Sequence, residues 1–521
     1  MRLGCRHNFA VQFPKKVKQM SSRGMKSRFW RSFHKWAGVV FALFMVIFCI
    51  SGIILNHRKA FARCDVSRSW LPDQYAIRNY NNGIIRGTER IDSLSLLAYG
   101  SNGVWLTDSG FSSFSDYNRG LPQGTDNRNV KRVVTDSNGR IWCATTYGVY
   151  RHDGDKWTGV CAPSADDRMA DIALDADGDT VVAMTRSGIY RFAVGSGDGP
   201  EYIELQPIAG REVRYSLFKT VWQLHSGELF GIAGRIVVDA IAVVIIFLSL
   251  SGIVIFVCPS LLRRRRSKRL GKMLKWNWRW HDRMGYYPLV LTLLVAVTGM
   301  CLRPPLMIPF VMVKTAPLAG SAMDSDNYWH DSLRGIRWDA DRDCWLLSTT
   351  EGFATVDKYF KHEPALMSRH DCPPISPMGI NVMERIGADE WLIGSFSGLY
   401  GWNLAAGEVN AVEPESLVSG HSMHLDAKKP VVFDYVTGAS EQLPQSQAIE
   451  SSPMSLWNFA LELHVGRCYT PFLGPLSALF VFIFGLALTL ILISGYIVSR
   501  RMRKKKFLTI NHKQSHKIKI L

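Results

Sequence analysis

Phe33-His34-Lys35-Trp36-Ala37-Gly38, near the start of the chain, returns as Trp280-His281-Asp282-Arg283-Met284-Gly285 in its second half. The same offset of 247 lays Ser51-Gly52 on Thr298-Gly299 and Leu55 on Leu302, so a whole apolar stretch stays in register. A second match sets Leu224-His225-Ser226-Gly227 against Leu463-His464-Val465-Gly466, followed by Ser251-Gly252-Ile253 and Ser494-Gly495-Tyr496. The later copy is about four residues longer between those landmarks, roughly one helical turn. The chain therefore reads as a duplicated unit of helix, long insert, helix and basic tail.

Four apolar runs, at 36–55, 236–257, 285–302 and 472–498, carry this repeat. Each can cross a hydrocarbon core of roughly 30 Å, which takes about 20 helical residues. Asp239 and Pro288 interrupt them only near their ends, where a spanning helix tolerates such residues best. The expected spans are 36–57, 231–258, 284–303 and 471–498. The expected fold class is a membrane α-helical protein: a four-helix transmembrane bundle from a duplicated two-helix unit, plus an all-β domain built from the inserts 58–230 and 304–470.

Charge fixes the orientation. The formal net charge is +18, from 62 Lys and Arg against 44 Asp and Glu in 521 residues. Of the basic residues, 29 fall in the short flanks 1–35, 259–283 and 499–521, including Lys15, Lys16, Lys18, the arginines at 263–266, Arg500, Arg501 and the run 503–506. Only one acid, Asp282, accompanies them. Short basic flanks stay in the cytoplasm. Both termini are then expected inside and both inserts outside, and the two repeats share one orientation, related by a pseudo-twofold axis along the membrane normal. The rest of the chain holds 33 basic and 43 acidic residues, which excludes a nucleic-acid site. The first run is longer than a signal-peptide core and lacks a small-residue cleavage pattern, so it reads as retained.

The duplication also copies histidines. His34 and His281 fall at the cytoplasmic ends of their spans, and His225 and His464 just before the external ends of theirs. A lone histidine at a helix end is usually a solvated interfacial side chain. Four at equivalent positions are placed in opposed pairs by the twofold symmetry. Opposed imidazoles between facing helices can supply both axial ligands of a haem iron, so two pairs imply two b-type haems, one near each face. Gly38, Gly52, Gly252, Gly285, Gly299 and Gly495 leave room for porphyrin edges or for close helix packing. His57 lies about 34 Å along the helix from His34. It has no counterpart, Pro304 holding the matching place, and reads as a further ligand or substrate contact or as an interfacial side chain. The external histidines at 152, 330, 362, 370, 421 and 424 are scattered, His421 and His424 forming an H-x-x-H pair with some capacity for metal.

The His-x-Trp-x-Gly pattern, the helix ending Ser51-Gly52-Ile53-Ile54-Leu55-Asn56-His57, the stretch from Leu224 to Arg235, and His281-Asp282-Arg283-Met284-Gly285-Tyr286-Tyr287-Pro288-Leu289 resemble the PepSY-associated transmembrane family. The resemblance covers all four helices and their flanks. It implies a bacterial inner-membrane, haem-containing oxidoreductase of the ferric-siderophore reductase kind, which reduces a ferric chelate or siderophore on the periplasmic side. His34, His225, His281 and His464 fall on the helix-end histidine motifs of that family.

The inserts depart from the small α/β domains usual in that family. A unit of turn and strand recurs about every 38 residues: Gly103-Val104-Trp105-Leu106, then Asp136-Ser137-Asn138-Gly139-Arg140-Ile141-Trp142, then Asp175-Ala176-Asp177-Gly178. Each copy runs on to Ser109-Gly110-Phe111, Tyr147-Gly148-Val149-Tyr150 or Ser187-Gly188-Ile189-Tyr190. Asp-x-Asn/Asp-Gly makes a tight turn and an alternating strand follows, which is propeller-blade periodicity. It resembles the two-component-regulator propeller repeat, whose Gly-Leu-Pro appears at 120–122. The second insert repeats the theme at 339–353, 391–400 and, more weakly, 431–434. About three blades per insert cannot close a propeller alone, whereas six can. The tryptophans are expected as blade core.

Ten cysteines show no C-x-x-C and no metal-ligand spacing, and their pairing is not assignable. There is no Rossmann fingerprint or flavin motif, so a quinol or a cytoplasmic reductase must donate electrons. The alternative from another class is a ligand sensor whose propeller signals through the helices, although the short basic tails leave no room for an output domain. A transporter ranks third, since Asp239 is the only acid within the runs.

Overall fold

Long apolar stretches satisfy their backbone polar groups by becoming helices, and alternating strands by pairing with neighbours. The computed structural model describes residues 22–195, 199–265, 267–376, 378–425 and 430–518 of this chain. Lys15, Lys16, Lys18 and Arg266 lie outside the described residues. The helices that matter are α1 (Ser22–Asn56), α2 (Leu217–Ser226), α3 (Gly231–Arg265), α4 (Lys268–Tyr286), α5 (Leu289–Cys301), α6 (Leu456–His464) and α7 (Ser477–Ile518). The chain divides into two units, one holding residues up to Cys49, Ala240–Met300 and Phe482 onward, the other Ile50–Asp239 and Cys301–Val481.

Three helices, α1, α3 and α7, are long and apolar enough to cross a membrane, and α4 with α5 makes a fourth candidate bent by 65°. The third run, expected as a span over 284–303, is bent near its start at Pro288. Pro288 has no N–H, and its ring excludes the carbonyl four residues back, so α4 stops at Tyr286 and α5 begins at Leu289. The 13 residues of α5 reach only about 20 Å. In the helical unit, Phe41, Phe44 and Phe48 on one face of α1 meet Phe484 of α7 at ring-centroid distances of 5.6, 6.4 and 4.7 Å. Met45, Ile241, Ile245 and Ile491 complete this core. The lone acid of the basic flanks is paired: Asp282 accepts from Arg503 at 2.8 Å and from Ser499.

The other unit is built on six small antiparallel sheets whose strands follow one another in chain order. Sheets 1 to 3 lie within 87–203 and sheets 4 to 6 within 333–439. Among the described residues, five have four strands and the sixth has three. Their leading strands are Gly87–Arg90, Val130–Thr135, Met169–Leu174, Leu333–Asp339, Val382–Gly387 and Val418–Ser422, and each touches the next, the sixth returning to the first.

Apolar seams follow the same cycle. Leu97, Tyr99 and Val104 pack on Val130, Val133 and Trp157. Val134 and Trp142 pack on Met169, Ile172 and Val181. Val182 and Ile189 pack on Leu333, Ile336 and Trp345, and Leu346 and Phe353 on Met383, Trp391 and Trp402. Leu392 and Leu399 meet Val418 and Val432. The last seam joins the two ends, with Val431, Phe433 and Ala439 on Ile85, Leu96 and Ala98. Trp157, Trp345, Trp391 and Trp402 are fully buried, so these four tryptophans are core rather than ligand-stacking surface. The Asp-x-Asn-Gly turn has a clear local cause: Asp136 accepts from the N–H groups of Asn138 and Arg140 and from Trp142 Nε1, at 3.0, 2.9 and 2.8 Å. The nine described cysteines form no disulfide.

Candidate histidine pairs

The structure brings the four duplicated histidines together as two pairs. His34 on α1 and His281 on α4 have ring centroids 6.1 Å apart. His225 on α2 and His464 on α6 have theirs 6.0 Å apart. The first pair belongs to the helical unit and the second to the sheet-bearing unit.

Short capped helices carry the second pair. Ser216 caps α2 by accepting from Lys219 N at 3.3 Å, and Ser455 caps α6 by accepting from Asn458 N at 3.1 Å. Both helices stop just past their histidine at a left-handed glycine, Gly227 with φ 82° and Gly466 with φ 84°. Such a backbone is open to glycine at little cost. The repeat therefore extends from the histidines to the caps that place them.

Each resolved histidine contact uses a Ser-Gly step of another helix. His34 Nδ1 lies 3.1 Å from Ile491 O and 3.1 Å from Ser494 Oγ. A carbonyl only accepts, so Nδ1 carries the proton. Ser251 Oγ gives its own proton to Leu248 O at 3.1 Å and accepts from His281 Nδ1 at 2.8 Å. His464 Nδ1 lies 3.0 Å from Ser51 Oγ. With Nδ1 protonated, the lone pair of His34 and of His281 is on Nε2, the form that binds a metal.

The adjoining glycines make space for the same rings. A Cβ at Gly495 would stand 2.9 Å from His34 Cε1, one at Gly52 3.3 Å from His464 Cε1, and one at Gly252 3.6 Å from His281 Cε1. These three glycines face imidazoles. Gly285 faces Leu248 at 3.7 Å, and Gly38 has nothing within 4 Å. Sequence reading used the Ser-Gly steps as landmarks and missed their part in holding the histidines. The available signal was that such a step, or Thr-Gly, recurs in all four apolar runs.

The spacing has a chemical meaning. A metal–imidazole bond is about 2 Å and each ring centre lies about 1 Å behind its nitrogen, so two imidazoles on opposite sides of one metal stand about 6 Å apart. Both pairs fit that distance.

The remaining candidates have other surroundings. His57 donates from Nε2 to Asp239 at 2.6 Å, and Asn56 Nδ2 donates to the same carboxylate at 3.3 Å, which accounts for an acid at the end of an apolar run. His152 stacks on Tyr117 at 4.5 Å. His424 Nδ1 meets Thr88 Oγ1 at 3.1 Å. Among the described residues, no group of three or more His, Cys, Asp or Glu forms a metal site, around His421 and His424 or elsewhere.

No curated protein matches the chain significantly. Among solved structures, a structural genomics protein of unknown function from Bacteroides thetaiotaomicron VPI-5482 is similar at 9% identity and TM-score 0.35, over 70% of this chain and 70% of that one. The extracellular domain of a putative hybrid two-component system from B. thetaiotaomicron is similar at 10% identity and TM-score 0.34, over 70% of this chain and 33% of the other. Likeness at this level carries no inference about activity. The family described as the PepSY-associated TM region matches residues 9–258 and again 259–501, the same division as the internal repeat. The chain is a membrane protein that belongs to the PepSY-associated TM family.

Proposed function

We propose that the protein is a di-haem b-type electron carrier of the bacterial inner membrane that reduces a ferric chelate or siderophore on the periplasmic side. The observation that carries this reading is the pair of opposed histidine pairs, His34 with His281 at 6.1 Å and His225 with His464 at 6.0 Å. Supplied with iron porphyrin, each pair would hold one haem, whose iron takes and passes single electrons. Ser494 and Ser251 hold His34 and His281 in the tautomer with the lone pair on Nε2. The phenylalanines around Phe484 keep water from the helical core. One electron, donated by a quinol or a cytoplasmic reductase, converts ferric to ferrous iron and weakens the hold of the chelator. The basic flanks support a topology with both termini in the cytoplasm and both inserts in the periplasm.

The same reading makes the apolar spans a four-helix bundle of two repeats and the six sheets one six-bladed propeller, three blades from each insert. The cyclic apolar seams support that closure. The test is rapid mixing of dithionite-reduced, purified protein with ferric citrate or a ferric hydroxamate. Oxidation of b-type absorption bands within seconds is the expected result. Reduced bands unaffected by every ferric chelate would overturn the reductase reading, and a colourless protein would leave the sensor alternative.

A further inference from the structure

The ring of leading strands carries two tiers of charge. In one tier cations and acids match: Arg132 donates twice to Glu384, at 2.5 and 3.1 Å, and Arg337 pairs with Asp171 at 2.5 Å. That tier reads as structural. At the beginning of the strands the balance fails.

Four consecutive sheets each place a cation at the start of the leading strand. Arg86 immediately precedes strand Gly87–Arg90, and Arg168 immediately precedes Met169–Leu174. Lys131 and Arg334 are the extra residues where the ladder slips, between Val130 and Arg132 and between Leu333 and Gly335, whereas in sheet 3 the extra residue is Ala170 and the cation is the preceding Arg168. A bulge turns its extra side chain out of the ladder, and bulges recur at the rims of closed sheets. The equivalent residues of sheets 5 and 6, Asn381 before Val382 and Ser419 in the bulge between Val418 and Gly420, are uncharged.

The nearby acids are already engaged. Asp126 takes Arg58 at 2.5 Å and Tyr147 at 2.8 Å. Asp331 takes Lys219 at 2.8 Å, Arg186 at 3.1 Å and Arg334 at 3.9 Å. Among the described residues, Arg86, Lys131 and Arg168 have no carboxylate within 4 Å, and Lys131 has only Asn129 Oδ1 at 3.5 Å. All three are partly buried. Burial, then repulsion from Arg86, Arg58 and Arg186, holds the Lys131 ammonium well below its usual range. Burial, then repulsion from Arg58, pushes Arg86 down to about 10.

We propose that this end of the sheet ring is a binding site for a small multivalent oxyanion, a polycarboxylate or a phosphate compound, held by Arg86, Lys131 and Arg168. Arginine forks and an ammonium suit carboxylate and phosphate oxygens alike. Asn381 and Ser419 are neutral and already donate to Val418 O and Phe433 O, so the cations alone would hold the anion. The site is separate from the histidine pairs and stands without them.

Calorimetric titration of the purified full chain in detergent, with citrate in one arm and pyrophosphate in another at constant ionic strength, tests it. Saturable binding by at least one anion is expected, about tenfold or more weaker in Lys131→Gln and Arg168→Gln and unchanged in Arg119→Gln, whose cation sits in an exposed pair with Asp155. Citrate alone binding assigns carboxylate chemistry, and pyrophosphate alone assigns phosphate. Saturable binding of a short-chain phosphatidic acid, with both soluble anions inert, assigns the same chemistry to a lipid headgroup. Thermal unfolding without anion guards against misfolding, since Lys131→Gln relieves repulsion and is expected to melt at or above the parent temperature. Heat-silent titrations with all three probes would overturn the proposal, as would affinity unaltered in both variants.

Discussion

An alanine at position 495 would bring its Cβ to 2.9 Å from His34 Cε1, nearer than carbon atoms pack, while Ile491 O and Ser494 Oγ hold Nδ1 of the same ring. Gly495→Ala is therefore expected to weaken haem binding by His34 and His281 about 10–100-fold, the usual scale for disturbing the support of a metal ligand. Gly271→Ala, on α4 with nothing within 4 Å, is the control and should retain full haem. Haem absorbance per protein reads both. The histidines themselves were legible because duplication set them at matched positions. Their Ser-Gly partners were not, because Ser494 is 460 positions from His34 and no local pattern links them. His57 shows the opposite case: its bond to Asp239 joins two oddities, an unmatched histidine and an acid in an apolar run, that were each visible alone.

Among the elements, α2 and α6 show how short helices can set a site. Each is held at its start by one serine and ends at one left-handed glycine. Ser455→Ala leaves the first N–H groups of α6 without their acceptor and is expected to cost about 1 kcal/mol, seen as a lower denaturation midpoint of the protein. No change in that midpoint would mean that packing alone holds α6. The apolar runs announced the spans, because twenty apolar residues have few other homes. Pro288 was visible as an interruption near the end of its run, but the 65° bend between α4 and α5 was not, since a missing N–H does not state the angle of the break.

For the whole molecule, the question is how two inserts separated by helices share one set of seams. Thr88 Oγ1 and Ser422 Oγ stand 2.6 Å apart where the first leading strand meets the sixth. Cysteines at both places would have their sulfurs within bonding reach after small rotations. Thr88→Cys with Ser422→Cys is expected to form a disulfide that holds the inserts together after proteolysis within 259–283. Separation of the fragments under non-reducing conditions would contradict the closure. The sheets of the first insert were readable from their turns, whereas the last was only a fragment at 431–434. That sheet has three strands, and its core is completed by Ile85, Leu96 and Ala98 from the far end of the chain.

The visible spectrum of the purified protein, oxidised and then reduced with dithionite, tests the central claim directly, with haem per chain measured for the parent, His34→Ala and His464→Ala. Two b-type haems per chain in the parent and about one in each variant are expected. A parent protein without a haem spectrum after expression with ample haem, or variants that keep both haems, would contradict the assignment of the paired histidines as axial ligands.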